Sequence, residues 1–86
     1  MIIKVTYSIL KAILVTDIQS GEAPLSVSFD ASASRYANGN IERFKWDFGD
    51  KTPILIADSQ VTHEYGMVGQ YVAKMTVITD DGKEDS

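Results

Sequence analysis

The residues of this chain that could do chemistry are one histidine and a scatter of carboxylates. His63 is the only histidine among 86 residues, and there is no cysteine to act as a nucleophile or thiolate ligand. A catalytic triad needs a nucleophile beside a base, and no G-x-S-x-G string is present. Asp47 and Asp50 have the residue type of a glycosidase carboxylate pair. Their place at the end of a predicted strand favours turn capping, so we predict structural roles for all three.

A second group of residues that could bind a ligand is aromatic. Tyr36, Phe44, Trp46 and Phe48 could form a platform on which sugars stack. Phe44, Trp46 and Phe48 alternate with polar residues and so share one face of a strand, which favours a place in the core. Tyr36 lies in a polar stretch, which makes it the best candidate for an exposed contact residue, with loop packing as the alternative.

Composition limits the classes of protein to which the chain can belong. It is 44% hydrophobic and 23% charged with a net charge of −4, which indicates one small globular domain. The few Lys and Arg residues form no basic stripe, so we do not expect a nucleic-acid partner. The apolar first fifteen residues contain Lys4 and Lys11 and are too short to span a bilayer, so we predict a strand there and no membrane insertion.

Hydrophobic residues recur with a period of two, which predicts an all-β fold. The predicted strands are residues 3–7, 12–18, 25–30, 41–48, 54–57, 61–65 and 70–79. Turn signals between them, such as Asn38-Gly39-Asn40 and Asp81-Gly82, are typical of an antiparallel sandwich or barrel.

Trp46-Asp47-Phe48-Gly49-Asp50 is the most specific string in the chain, and it resembles the signature of the polycystic kidney disease (PKD) domain family. Residues 21–32, 38–41, 62–65 and 69–72 resemble further family motifs in the same order. The resemblance covers roughly residues 12 to 82.

The resemblance implies a seven-stranded, immunoglobulin-like antiparallel β-sandwich. It implies a structural role for the signature residues Trp46, Asp47, Phe48, Gly49, Asp50, His63, Tyr65 and Tyr71. It also implies a non-catalytic, extracellular or cell-surface module: a structural, adhesion or spacer unit of a surface protein, tandem array or filament. The alternative is an accessory module that holds a secreted protease, collagenase or chitinase on a polysaccharide or protein fibre.

The chain departs from the family pattern in two loops. Some members bind calcium in the loop before the third strand, but residues 35–39 contain no carboxylate here, and Arg35 would repel a cation. The acidic residues Asp80, Asp81, Glu84 and Asp85 are interpreted as a solvated tail, so we expect no cofactor, with calcium there as the open alternative. Lys51 follows Gly-Asp where the family often has glycine, and this requires a turn open to a residue with a Cβ.

The two ends of the sequence predict an unusual domain boundary. Residues 1–10 form an extra strand or linker, and residues 11–86 form a PKD-like domain whose last strand is absent or supplied by a neighbouring module. Ile3, Val5 and Tyr7 alternate as in a last strand, and we predict them as interaction residues. Residues 1–9 then belong to the preceding repeat of an array or insert into another copy as a donor strand, unless the chain is part of a longer protein. Each alternative predicts an unpaired edge along residues 71–77.

Overall fold

The computed structural model describes residues 1–4, 10–37 and 39–86. These residues contain nine strands and no helix, so none of the described residues forms a helix that could cross a membrane. The strands are Leu10–Lys11 (β1), Val15–Thr16 (β2), Leu25–Asp30 (β3), Arg35–Tyr36 (β4), Ile41–Asp47 (β5), Leu55–Ala57 (β6), Gln60–Tyr65 (β7), Lys74–Thr79 (β8) and Glu84–Asp85 (β9).

The strands form two main antiparallel sheets, which confirms the predicted immunoglobulin-like β-sandwich. One sheet has the order β2-β3-β7, and the other has the order β6-β5-β8-β9. β1 and β4 make a small separate pair. Leu25 lies opposite Tyr65 in the first sheet, and Trp46 lies opposite Met75 in the second. The register of each pair puts apolar residues of neighbouring strands on the same face.

The core lies between the two sheets and is made by the alternation that the sequence shows. Its buried hydrophobic members are Val27, Phe29, Ala31, Trp46, Phe48, Tyr65, Met75 and Val77. Trp46 is 1% exposed, and Phe44 is half-buried against the same cluster. The predicted shared core face of Phe44, Trp46 and Phe48 is therefore confirmed.

Three strands are shorter than the sequence predicts. Ile3 and Lys4 are not in a strand, and the rest of the predicted strand 3–7 lies outside the described residues. Residues 12–18 contribute only Val15–Thr16. Before this strand, the backbone N–H groups of Ala12 and Ile13 bond to the side chains of Asp85 and Ser34. After it, Asp17 Oδ1 accepts hydrogen bonds from the backbone N–H groups of Ile18 and Ser28. Residues 70–73 belong to a loop instead of the strand predicted over 70–79.

The expectation of an unpaired edge along residues 71–77 is wrong at the C-terminal end of that segment. β9 pairs with β8, with Asp85 opposite Val77 and Glu84 opposite Ile78. The hairpin closes because Gly82 adopts a positive φ of 89°. The prediction that the last strand is absent or supplied by a neighbouring module is therefore wrong, because the two residues of β9 occupy that place within this chain. β1 and β4 were also not predicted.

Candidate functional site

The signature residues meet at the end of the sandwich where β5 ends and the loop between β7 and β8 begins. His63 Nε2 donates a hydrogen bond to Asp50 Oδ2 over 2.6 Å. The hydrogen must lie on Nε2, because an ionised carboxylate only accepts. Thr52 donates its N–H and its hydroxyl to Asp50 Oδ1 over 3.2 and 2.6 Å. The bonds from Thr52 and His63 lower the pKa of Asp50 from 3.8 to about 2.

Asp50 should therefore stabilise the fold in a pH-dependent way. A carboxyl whose pKa is lowered by folding contributes stability above its unfolded pKa, and that contribution disappears as the pH falls through the folded value. We expect Asp50→Asn to be less stable than wild type at neutral pH, with the difference closing between pH 3.8 and about 2. Urea unfolding of both proteins across this range measures it. A difference independent of pH would mean that the ionised form of Asp50 contributes nothing.

Four rings form a continuous column beside this pair. The Phe48 and His63 rings are parallel, with centroids 3.9 Å apart, and the edge of His63 meets Tyr65 at 4.8 Å. Tyr65 stacks on Tyr71 at 4.7 Å. The Tyr65 hydroxyl donates to the Phe48 carbonyl over 2.8 Å. Burial raises the pKa of Tyr65, and the charges of Asp50 and Asp47 raise it further. The column joins the end of β5 to β7 and to the following loop.

Tyr65→Phe should lower the free energy of unfolding by about 1–3 kcal/mol, because it leaves the Phe48 carbonyl without its donor in a buried place. Tyr71→Phe is the matched control, since the Tyr71 hydroxyl bonds to the Met67 carbonyl in an exposed place where water can replace it. Chemical denaturation of the two variants gives the comparison. Equal losses would argue against a special role for the Tyr65 bond.

The turn after β5 is shaped by backbone conformation. Asp47 is exposed, and its Oδ1 accepts the Gly49 N–H over 3.0 Å. Gly49 has a φ of 76°, and a Cβ built on it would lie 2.2 Å from the carbonyl oxygen of Val72. Lys51 also has a positive φ, of 69°. This value lies in the small left-handed region that a residue with a Cβ can adopt, as the sequence requires of the turn at Lys51. Lys51 carries a strain of about 1–2 kcal/mol.

Trp46 connects the signature to the segment between β6 and β7. Its Nε1–H donates to the Asp58 carbonyl over 3.1 Å, and its ring meets Phe29 edge-on at 5.9 Å. Asp58 lies between β6 and β7, so this bond holds the crossing from one sheet to the other.

Tyr36 is placed differently from the exposed contact residue that the sequence suggested. It is only 8% exposed, and its hydroxyl donates to Asp81 Oδ2 over 2.6 Å. The Lys83 ammonium lies 5.6 Å from the ring centroid. The loop-packing alternative therefore describes Tyr36 better. Ile3 is 79% exposed, while Val5 and Tyr7 lie outside the described residues.

The acidic residues near the end of the chain are not a free, solvated tail. Asp81 Oδ1 accepts the Thr79 hydroxyl, and this bond and the one from Tyr36 lower the pKa of Asp81. Asp85 Oδ2 accepts the Ala12 N–H over 2.8 Å. Within residues 1–4, 10–37 and 39–86, the structure contains no group of three or more histidine and acidic residues suited to a metal ion.

The predicted turn-capping role of Asp50 is confirmed, because its carboxylate accepts the Thr52 N–H. The sequence did not point to two other features of this region. The Thr52 hydroxyl also donates to Asp50, and the Asp-x-Thr spacing is the signal that could have shown it. The run Ile54-Leu55-Ile56 was predicted as a strand, but nothing local showed that its side chains would be about half exposed. The hydrogen bonds that the structure describes for the signature side chains all run to other groups of this chain. The arrangement is therefore suited to holding loops together.

Comparison with known proteins agrees with this geometry. Residues 12–86 match the family model described as "PKD domain". The chain is 34% identical over 56 residues to Collagenase ColA of Clostridium perfringens. The matched segment covers 65% of this chain and 5% of the collagenase. It is 30% identical over 69 residues to Microbial collagenase of Vibrio alginolyticus, covering 80% of this chain and 8% of that protein.

A third relative is Collagenase ColA of Bacillus cereus, 32% identical over 65 residues, with coverage of 76% of this chain and 7% of the collagenase. The chain thus spans less than a tenth of the length of each of these curated relatives. The family match begins before β2 and ends after β9, and it includes all of the signature residues. This chain belongs to the PKD domain family.

Proposed function

We propose that the chain is a non-catalytic, extracellular module that holds or spaces an enzyme on a fibrous substrate. The observation that carries this proposal is the similarity to collagenases from three bacteria, each of which is at least ten times longer than the matched segment. A segment that is 5–8% of an enzyme is suited to an accessory role. Collagen is an extracellular protein fibre, and this supports an extracellular location and a protein fibre as partner.

A non-catalytic role is supported by the use that the fold makes of its reactive groups. A general base must reach the proton that it removes. His63 instead gives its Nε2 hydrogen to Asp50, and its ring stacks on Phe48 and meets Tyr65 edge-to-face.

Fibre binding is tested with the purified chain and insoluble collagen, with chitin and cellulose as parallel fibres. We expect retention on collagen above that on the two polysaccharides. Retention on chitin or cellulose alone would mean that the partner of the module is a polysaccharide and not a protein fibre. If a chain with an intact near-ultraviolet circular dichroism spectrum stays in solution with all three, the holding role is wrong and the spacer role is left.

A second candidate is a structural or adhesion unit that joins neighbouring copies in a tandem array or filament, by donor-strand exchange through residues 1–9. Met1, Ile2 and Ile3 are apolar and highly exposed, which favours a partner for this segment. The mass in solution of the whole chain and of a chain without residues 1–9 tests it. Oligomers formed by the whole chain alone would support strand exchange, whereas two monomers would exclude it.

A further inference from the structure

We propose that the outer edge of β6 is a strand-addition site and that its occupant is β6 of a second copy of this chain, in antiparallel orientation. β6 is the terminal strand of the four-stranded sheet, and β5 is its partner in the part of the chain that the structure describes. The backbone groups on its far side therefore face no described strand. Such a row of N–H and C=O groups is a template for another strand.

The side chains of this edge are apolar on both faces of the sheet. Leu55 lies opposite Trp46 and Ile56 opposite Lys45, so the two point to opposite faces. Ile54, Leu55 and Ile56 are 57%, 45% and 52% exposed. The stretch from Pro53 to Ala57 contains no charged residue. An added strand would therefore remove apolar surface from water on both faces.

Two of the other described sheet edges contain charged residues, which discourage strand addition. β7, the edge beyond β3, contains Glu64. β9 consists of Glu84 and Asp85. β6 itself contains no charged residue, and Asp58 follows it only after Ala57.

The sequence of β6 is complementary to itself in one register. A two-fold axis at Leu55 places Leu55 opposite Leu55 of the second copy and Ile54 opposite Ile56. The next pair out is Pro53 with Ala57, followed by Thr52 with Asp58, so no like charges meet. This symmetric contact is closed, as expected for a dimer. The donor segment 1–9 of another copy fits less well, because it would bring Lys4 against the uncharged edge.

The contact is small, so the association should be weak. Three exposed side chains per copy fall well short of the roughly 800 Å² per partner of a stable interface. A dissociation constant in the range of about a micromolar to a millimolar is expected. The inference does not depend on fibre binding, since the edge lies in the fold whatever the module holds.

The first test is sedimentation equilibrium over a wide concentration range. Ile56→Lys adds a charge at the edge, and Val68→Lys makes the same change at a loop residue that is 93% exposed. We expect wild type and Val68→Lys to dimerise alike, and Ile56→Lys to dimerise at least about tenfold more weakly. A wild-type chain that stays monomeric, or equal effects of the two lysines, would overturn the proposal. So would an association that is lost only when residues 1–9 are removed.

The register is tested by disulfide formation, because the chain has no cysteine of its own. Directly opposed residues have Cα atoms about 4.5–5.5 Å apart, which suits a disulfide. In the proposed register Leu55→Cys faces itself, whereas two copies of Ile54→Cys are offset to roughly 8 Å. We expect Leu55→Cys to form dimers faster than Ile54→Cys and Val68→Cys under mild oxidation. Equal rates for the three variants would contradict the pairing.

Discussion

Trp46→Ala should remove about 3–5 kcal/mol from the free energy of unfolding, the largest loss that we expect from a single substitution. The ring is 1% exposed and packs against Phe29 and Phe48 between the two sheets. Its removal leaves a cavity at the centre of a core with few members, and it deletes the bond to the Asp58 carbonyl. A small domain has only about 5–15 kcal/mol of stability in all, so the variant should be close to unfolded.

Urea denaturation followed by far-ultraviolet circular dichroism measures this loss, because Trp46 is the only tryptophan and its fluorescence disappears with it. Trp46→Phe is the control, since it keeps most of the buried ring and loses mainly the Nε1–H bond. We expect it to cost clearly less than Trp46→Ala. A loss below about 1 kcal/mol for Trp46→Ala would show that the two sheets do not depend on this ring.

Gly49→Ala should lower the free energy of unfolding by about 2–5 kcal/mol, through two effects that add. A positive φ costs a residue with a Cβ about 1–2 kcal/mol. The Cβ would also lie 2.2 Å from the Val72 carbonyl oxygen, so the loop between β7 and β8 must move. Overpacking of this kind costs about 1–3 kcal/mol.

Gly82→Ala separates the two effects. Gly82 has a similar φ of 89°, but a Cβ there meets no atom within 4 Å. Thermal or chemical denaturation of both variants should therefore show the smaller loss for Gly82→Ala. If the two alanines are equally destabilising, the close approach of Val72 does not constrain the turn.

These losses bear on function because the signature positions the loops at one end of the domain. The bond from His63 to Asp50 joins β7 to the turn after β5, and the column of rings and the approach of Val72 to Gly49 reach the loop after β7. Variants of the signature should therefore lose fibre binding only as far as they lose the fold. A variant of β6 should change self-association while the stability stays near that of wild type.

The amino-acid sequence alone was enough to predict the fold class, the core face of the longer strands and the family. Alternation is a local property, because successive side chains of a strand point to opposite faces wherever the strand lies. Leu25 to Phe29 and Phe44 to Phe48 could therefore be assigned an inner face before any partner strand was known. The Trp46–Asp50 string added the family, because its residue types are specific in order.

Three features could be seen only in the folded chain: which strands lie at sheet edges, which loops meet, and which groups the polar side chains bond to. His63 and Asp50 are thirteen positions apart, Tyr36 and Asp81 forty-five, and no local pattern joins either pair. The run Ile54-Leu55-Ile56 is another example. Its apolar residues predict a strand, but they do not show that this strand lies at the edge of its sheet with exposed side chains. Strand order depends on pairing between distant segments, and so do the burial of Tyr36 and the exposure of β6. A period of two carries no information about that pairing, because it fixes the direction of each side chain and not its neighbour.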